Sequence, residues 1–147
     1  MNMNAVTFNL IKSTEDEELV IIKENYSKSA VERFVSIDKE KFWQYVTETE
    51  NVYFYKIYND SNLVGTMQCE VYDGILYLAL VVFPEYQKKK IGTSAVQEVI
   101  AGKTGLSFKE IQVSIDEKNT ASLKLFQNVG FKCSGQEDSI IDFRYIM

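Results

Sequence analysis

A chain of 147 residues, 46% hydrophobic and 25% charged, has the make-up of one globular domain (residues 1–147) that buries about two thirds of its unfolded surface without staples. Its formal net charge of −5, from Lys+Arg 16 against Asp+Glu 21 with no histidine, argues against a nucleic-acid partner, because only Lys88, Lys89 and Lys90 cluster. No run approaches membrane-spanning length, no basic and apolar leader opens the chain, and Cys69 and Cys133 stand apart without CxxC or histidine; the expectation is a cytoplasmic protein with core thiols, no membrane and no metal.

Residues 6–11 read as a first strand. Ser13 with Asp16 three residues later resembles a capping box, imperfect because Glu or Gln is the usual partner, and predicts a helix through about Lys23. A second helix is predicted over residues 37–46, with Phe42, Tyr45 and Val46 on one face. Strands at 52–58 and 63–72 flank the turn formers Asn59, Asp60, Ser61 and Asn62, and Asp73-Gly74 turns into a third strand at 75–83, giving a meander.

That third strand ends at Pro84, and a loop carrying three lysines leads to Gly92-Thr93-Ser94, which opens an apolar-periodic run. A helix is predicted from Gly92 to about Gly102, burying Ala95, Val96, Val99 and Ile100. This order of strand, loop and helix aims backbone N–H groups and the positive end of a helix at whatever sits above the strand, an anion cradle. Ile111, Val113 and Ile115 then alternate with polar residues; Asn119 caps a helix that stops at Gly130; residues 131–133 and 140–145 pair as a last hairpin. The natural architecture is α/β (α+β), a largely antiparallel mixed sheet with helices on both faces.

Two patterns carry a resemblance to a known family. One is V-x-P-x-x-[QR]-x-x-G-x-[GA], met by Val82, Pro84, Gln87 and Gly92. The other is N-x-x-[AS]-x-x-L-Y-x-x-x-G-F, met by Asn119, Ser122, Leu125, Gly130 and Phe131. In this order, separated by a helix and a strand, they resemble the GNAT superfamily of N-acetyltransferases over nearly the whole chain. The resemblance implies a sheet of about six or seven strands and acetyl-CoA as co-substrate.

Coenzyme A carries a diphosphate and a further phosphate. The loop formed by Gln87, Lys88, Lys89, Lys90, Ile91, Gly92 and Thr93 can supply N–H donors, with the Thr93 and Ser94 hydroxyls beside them. By the resemblance, the pantetheine arm lies along Val81 and Val82 where neighbouring strands splay apart. Asn119, Ser122 and Phe126, at i, i+3 and i+7, share one helical stripe that borders the same arm.

The chain departs from the family twice. Lys90 stands where glycine is usual; a left-handed lysine costs about 1 kcal/mol, so the expectation is either an ordinary conformation or a phosphate contact that offsets the cost. Phe126 stands where many members have the tyrosine that protonates the departing thiolate. Tyr72, Tyr77, Tyr86, solvent and the substrate ammonium remain as donors. Glu70, on the strand paired with the cofactor strand, is the leading candidate for the base, against the reading of a merely solvated carboxylate among Thr66 and Gln68. Ser114 replaces a glutamate that the family's ribosomal-protein acetylases carry, which disfavours that subgroup.

Glu15, Asp16 and Glu17 complement a helix start as readily as they attract a cationic amine, and Trp43, Phe42 and Tyr45 suit a core as well as an acceptor cavity. The function implied is transfer of acetyl to a primary amine, small-molecule or protein, by direct transfer in a ternary complex. The alternative is a non-catalytic acyl-CoA-binding or regulatory module. A homodimer is frequent in the family.

Overall fold

The computed structural model describes residues 6–28 and 39–147. The elements in chain order are β1 (Thr7–Ile11), α1 (Leu19–Tyr26), α2 (Lys39–Glu48), β2 (Val52–Asn59), β3 (Asn62–Tyr72), β4 (Ile75–Val82), α3 (Ile91–Ile100), β5 (Glu110–Asp116), α4 (Thr120–Val129), β6 (Lys132–Glu137) and β7 (Ile140–Ile146). Among the described residues the strands form one sheet in the order β1-β2-β3-β4-β5-β7-β6. Every adjacent pair is antiparallel except β4 with β5. This is the mixed, mostly antiparallel sheet expected from the strand patterns.

Turn chemistry fixes the meander. Tyr72 pairs with Ile75, leaving Asp73 (φ 52°) and Gly74 (φ 79°) as the two turn residues; positive φ at both is the type I′ turn that Asp-Gly favours because its twist matches the strands. Between β2 and β3, Asn59 pairs with Asn62 and Asp60 takes φ 56°.

Helices cover both faces. On one, Leu19 and Ile22 of α1 and Trp43 and Val46 of α2 close over Phe54 and Phe83. On the other, Ile91, Ala95, Val96 and Val99 of α3 and Phe126 of α4 pack on Met67, Leu78 and Val113. The alternation of β4 assigns Leu78 to the α3/α4 side, and Val81 packs on the α1/α2 side.

Several expectations need correction. α1 begins at Leu19, not near Ser13. The Ser13 hydroxyl accepts from the N–H of Glu15, two residues on, and Asp16 Oδ1 accepts from Glu18 in the same way, so these side chains build successive turns that compete with helix. The predicted start of α2 at Ile37 lies outside the described residues. Cys69 is buried, and desolvation pushes its thiol up to about 12, but Cys133 is exposed. The reason is its strand: β6 is an edge strand exposed throughout.

The segment before α1 is tied to the sheet. Lys56 Nζ donates to Asp16 Oδ2 at 2.9 Å and Glu18 Oε1 at 3.0 Å, and the Tyr58 hydroxyl donates to Glu18. Burial disfavours the Lys56 charge, yet the two carboxylates win and hold its pKa above the usual value. Asp16 is thereby committed to an internal ion pair. A buried bond of 2.6 Å between the Tyr26 hydroxyl and Thr66 Oγ1 fastens the other end of α1 to β3.

Candidate acyl-CoA groove and active site

Beyond Tyr77 the two parallel strands part. β4 pairs with β5 only from Ile75↔Glu110 to Tyr77↔Gln112, although β4 runs on to Val82 and β5 to Asp116. Residues 78–82 therefore present a strand edge of roughly 17 Å, at about 3.3 Å per residue, toward the gap. Across its mouth lie the N-terminus of α3 and the first turns of α4. Together they line a groove of about 460 Å³.

The loop before α3 explains why this groove suits an anion. The amide groups of residues 88–93 donate no hydrogen bond among the described residues, whereas Ser94 N already bonds Lys90 O as the helix begins. Lys88 (φ 64°) and Lys90 (φ 62°) are both left-handed. Such alternation of backbone hand turns successive N–H groups toward one concave point, and the helix dipole adds to it. The Gln87 side chain is used differently: its Nε2 donates to Val82 O at 3.0 Å and closes the loop onto the end of β4.

Of the residues singled out in the sequence, Val81, Val82, Gln87, Lys88, Lys90, Ile91, Gly92, Thr93, Asn119 and Ser122 line the groove. Lys89, Ser94 and Phe126 do not. Lys89 Nζ sits over the Tyr86 ring, 5.7 Å from its centroid, and Ser94 is buried in the first turn of α3. Phe126 is 4% exposed and packs edge-on to Phe131 at 5.0 Å. Asn119 Oδ1 caps α4 by accepting from Ser122 N at 3.3 Å, so its first duty is to the helix.

The face of α4 toward the groove is instead Ala121, Ser122, Lys124, Leu125 and Asn128. A side chain at i+1 is turned by about 100° from its neighbour, and Leu125 takes the groove side. A Cβ at Gly92 would come within 2.6 Å of Leu125 Cδ1, which shows how closely α3 and α4 meet there. Lys124 and Asn128 were missed in the sequence, although their i, i+3, i+4, i+7 spacing with Ala121 and Leu125 marks the stripe.

Lys90 does not take the ordinary conformation that was one of its two options. Glycine tolerates this φ freely, so a Lys90→Gly variant should fold at least as well. If the side chain offsets its strain through phosphate, calorimetry will show roughly tenfold weaker coenzyme A binding in that variant; equal or tighter binding removes the contact.

Outside the groove's lining, further back along β4, Glu70 lies opposite Tyr77 in the β3–β4 register, beside the last pair before the strands part. Glu70 Oε1 accepts from the Tyr45 hydroxyl of α2, and Oε2 accepts from Gln68 Nε2 at 3.4 Å. Tyr77 is 40% exposed. Tyr72, 75% exposed, stands at the turn, and Tyr86 lies by the loop; Tyr77 is the tyrosine at the parting. Among the described residues no cluster of three or more His, Cys, Asp or Glu could hold a metal, and no helix is long and apolar enough to cross a membrane.

Residues 19–131 match the Acetyltransferase (GNAT) family. Comparison with curated proteins gave no match. The fold is similar to Campylobacter jejuni N-acetyltransferase PseH in complex with acetyl coenzyme A (TM-score 0.76, 13% identity, 97% of this chain and 99% of that one). It is similar also to Vibrio cholerae spermidine N-acetyltransferase in complex with CoA and spermine (0.78, 14%, 96% and 95%). A third similar structure is AAC(6′)-Ib with paromomycin and acetyl-CoA (0.81, 15%, 97% and 93%).

Proposed function

Because the chain belongs to the GNAT acetyltransferase family and is an acyltransferase with acetyl-CoA as co-substrate, we propose that it acetylates a small primary amine by direct transfer within a ternary complex. The observation that carries this reading is the groove, with undonated amides of residues 88–93 at one end and a strand edge left free beyond Tyr77; Glu70 lies outside its lining, beside the start of that free edge. The amides, Lys88, Lys90 and Lys124 bind the phosphates. The edge of β4 orients the pantetheine arm, and its backbone N–H groups polarise the thioester carbonyl.

Glu70 takes a proton from the acceptor ammonium. The freed amine nitrogen then attacks the thioester carbon; the C–N bond forms, the C–S bond breaks, and the amide nitrogen gives its second proton to solvent. The departing thiolate takes a proton from Tyr77, the last β4 residue paired with β5, whose hydroxyl makes no hydrogen bond among the described residues; solvent then returns a proton to the phenolate and removes the one held by Glu70. Phe126, sealed in the core, has no part in that transfer.

Support for a small acceptor comes from complexes of similar folds with spermine and paromomycin. Thiol release from acetyl-CoA, measured against polyamines, aminosugars, amino acids and peptide N-termini, tests the proposal. Sustained release with a small amine is expected, with a slower rate in Tyr77→Phe if that hydroxyl is the acid. Binding of acetyl-CoA without release from any amine would leave a module that holds the thioester unreacted.

A further inference from the structure

Among the described residues, one side-chain hydrogen bond joins helix α2 to β3 beside the parting of β4 and β5. Its aromatic side anchors it: Trp43 stacks on Phe54 at 5.8 Å with an interplanar angle of 12°, and Phe42 meets the same ring edge-on at 6.0 Å. Two residues on, Tyr45 turns outward and donates its hydroxyl to Glu70 Oε1. That bond, foremost, raises the Tyr45 pKa, with desolvation adding to it, so the phenol remains a donor at neutral pH.

Tyr45 is 42% exposed. Water would satisfy both partners if the contact were broken, so the fold gains little from it. Its effect on Glu70 is different. With Oε1 held by α2 and Oε2 only loosely engaged by Gln68 at 3.4 Å, the carboxylate is fixed in direction while one oxygen keeps lone pairs for an incoming ammonium.

We propose that Tyr45 is a positioning residue, through which α2 orients the Glu70 carboxylate toward the acceptor amine. The inference rests on the assignment of Glu70 as the base. Precise placement of a base matters to turnover well beyond what it contributes to stability, because a misaligned carboxylate must be reordered in each cycle.

Tyr45→Phe removes only the hydroxyl. With an amine substrate identified by thiol release, this variant is expected to melt with the wild type, bind acetyl-CoA with unchanged affinity and lose roughly tenfold in kcat. In a Glu70→Gln background the same change is expected to cost nothing further, since a residue that acts through another shows full coupling in a double-mutant cycle. Wild-type kcat in Tyr45→Phe, while Glu70→Gln alone is severely slowed, overturns the positioning role and leaves Glu70 as the base. Two losses that multiply also overturn it, because Tyr45 would then act independently. Wild-type kcat in Glu70→Gln removes the base assignment itself, and the inference with it.

Discussion

Replacing Glu70 by glutamine is expected to lower kcat/KM for the amine at least about 100-fold at neutral pH while leaving the Kd for acetyl-CoA unchanged. An alkyl ammonium with a pKa near 10.4 is neutral in only about one molecule in several thousand at pH 7, so attack on a thioester needs a proton acceptor at the site. Glutamine keeps the shape of Glu70 and its hydrogen bond to α2 but cannot take that proton. Glu70 lines no part of the groove, which is why binding should survive. The variant's rate should also climb with pH by nearly tenfold per unit until the free amine dominates. Steady-state kinetics across pH, paired with calorimetry for acetyl-CoA, checks both halves; wild-type turnover at neutral pH would take Glu70 out of the mechanism.

Gly65→Ala should be the most damaging of the small substitutions. The β2–β3 register slips by one residue between Ile57 and Tyr58, skipping Val64, and Gly65 follows at that irregularity opposite Val82. A Cβ there would sit 2.3 Å from Val81 O and 3.1 Å from Val82 Cα. Both are backbone atoms, so no rotamer change relieves the overlap; β4 itself must move. Phe83 N is meanwhile held to Val64 O at 2.8 Å. A loss of about 3 kcal/mol is expected, lowering Tm by about 10 °C. The part of β4 displaced is the floor of the groove, so acetyl-CoA affinity should fall as well. A melting curve and a titration matching the wild type would show that the strand accommodates the methyl without cost.

What the sequence disclosed was short in range. Asn119 and Gly130 bound α4 as expected, because a cap bond spans three residues and a left-handed stop needs only its own φ, here 114°. Asp73-Gly74 specified its turn for the same reason. Ser13 misled because its hydroxyl has two local partners to choose from, and the nearer amide won. Phe126 was placed on the groove from spacing alone; packing against Phe131 turned it to the core and gave the groove to Leu125. The bond between Tyr45 and Glu70 joins residues 25 apart, and no local periodicity marks a contact made by docking a helix on a sheet. Lys90 was legible as an oddity, and its left-handed φ followed from the position that glycine usually fills, whatever the side chain present.

The chain has one tryptophan, and it lies 5% exposed between Phe54 and the Lys23 ammonium, 5.8 Å from its ring centroid. Intrinsic indole emission from this molecule is therefore a single-site optical signal, and the site is the dock of α2 itself. Any event that lifts or tilts that helix hydrates the ring and reddens the emission, whereas a ligand confined to the lysine-lined end leaves the spectrum still.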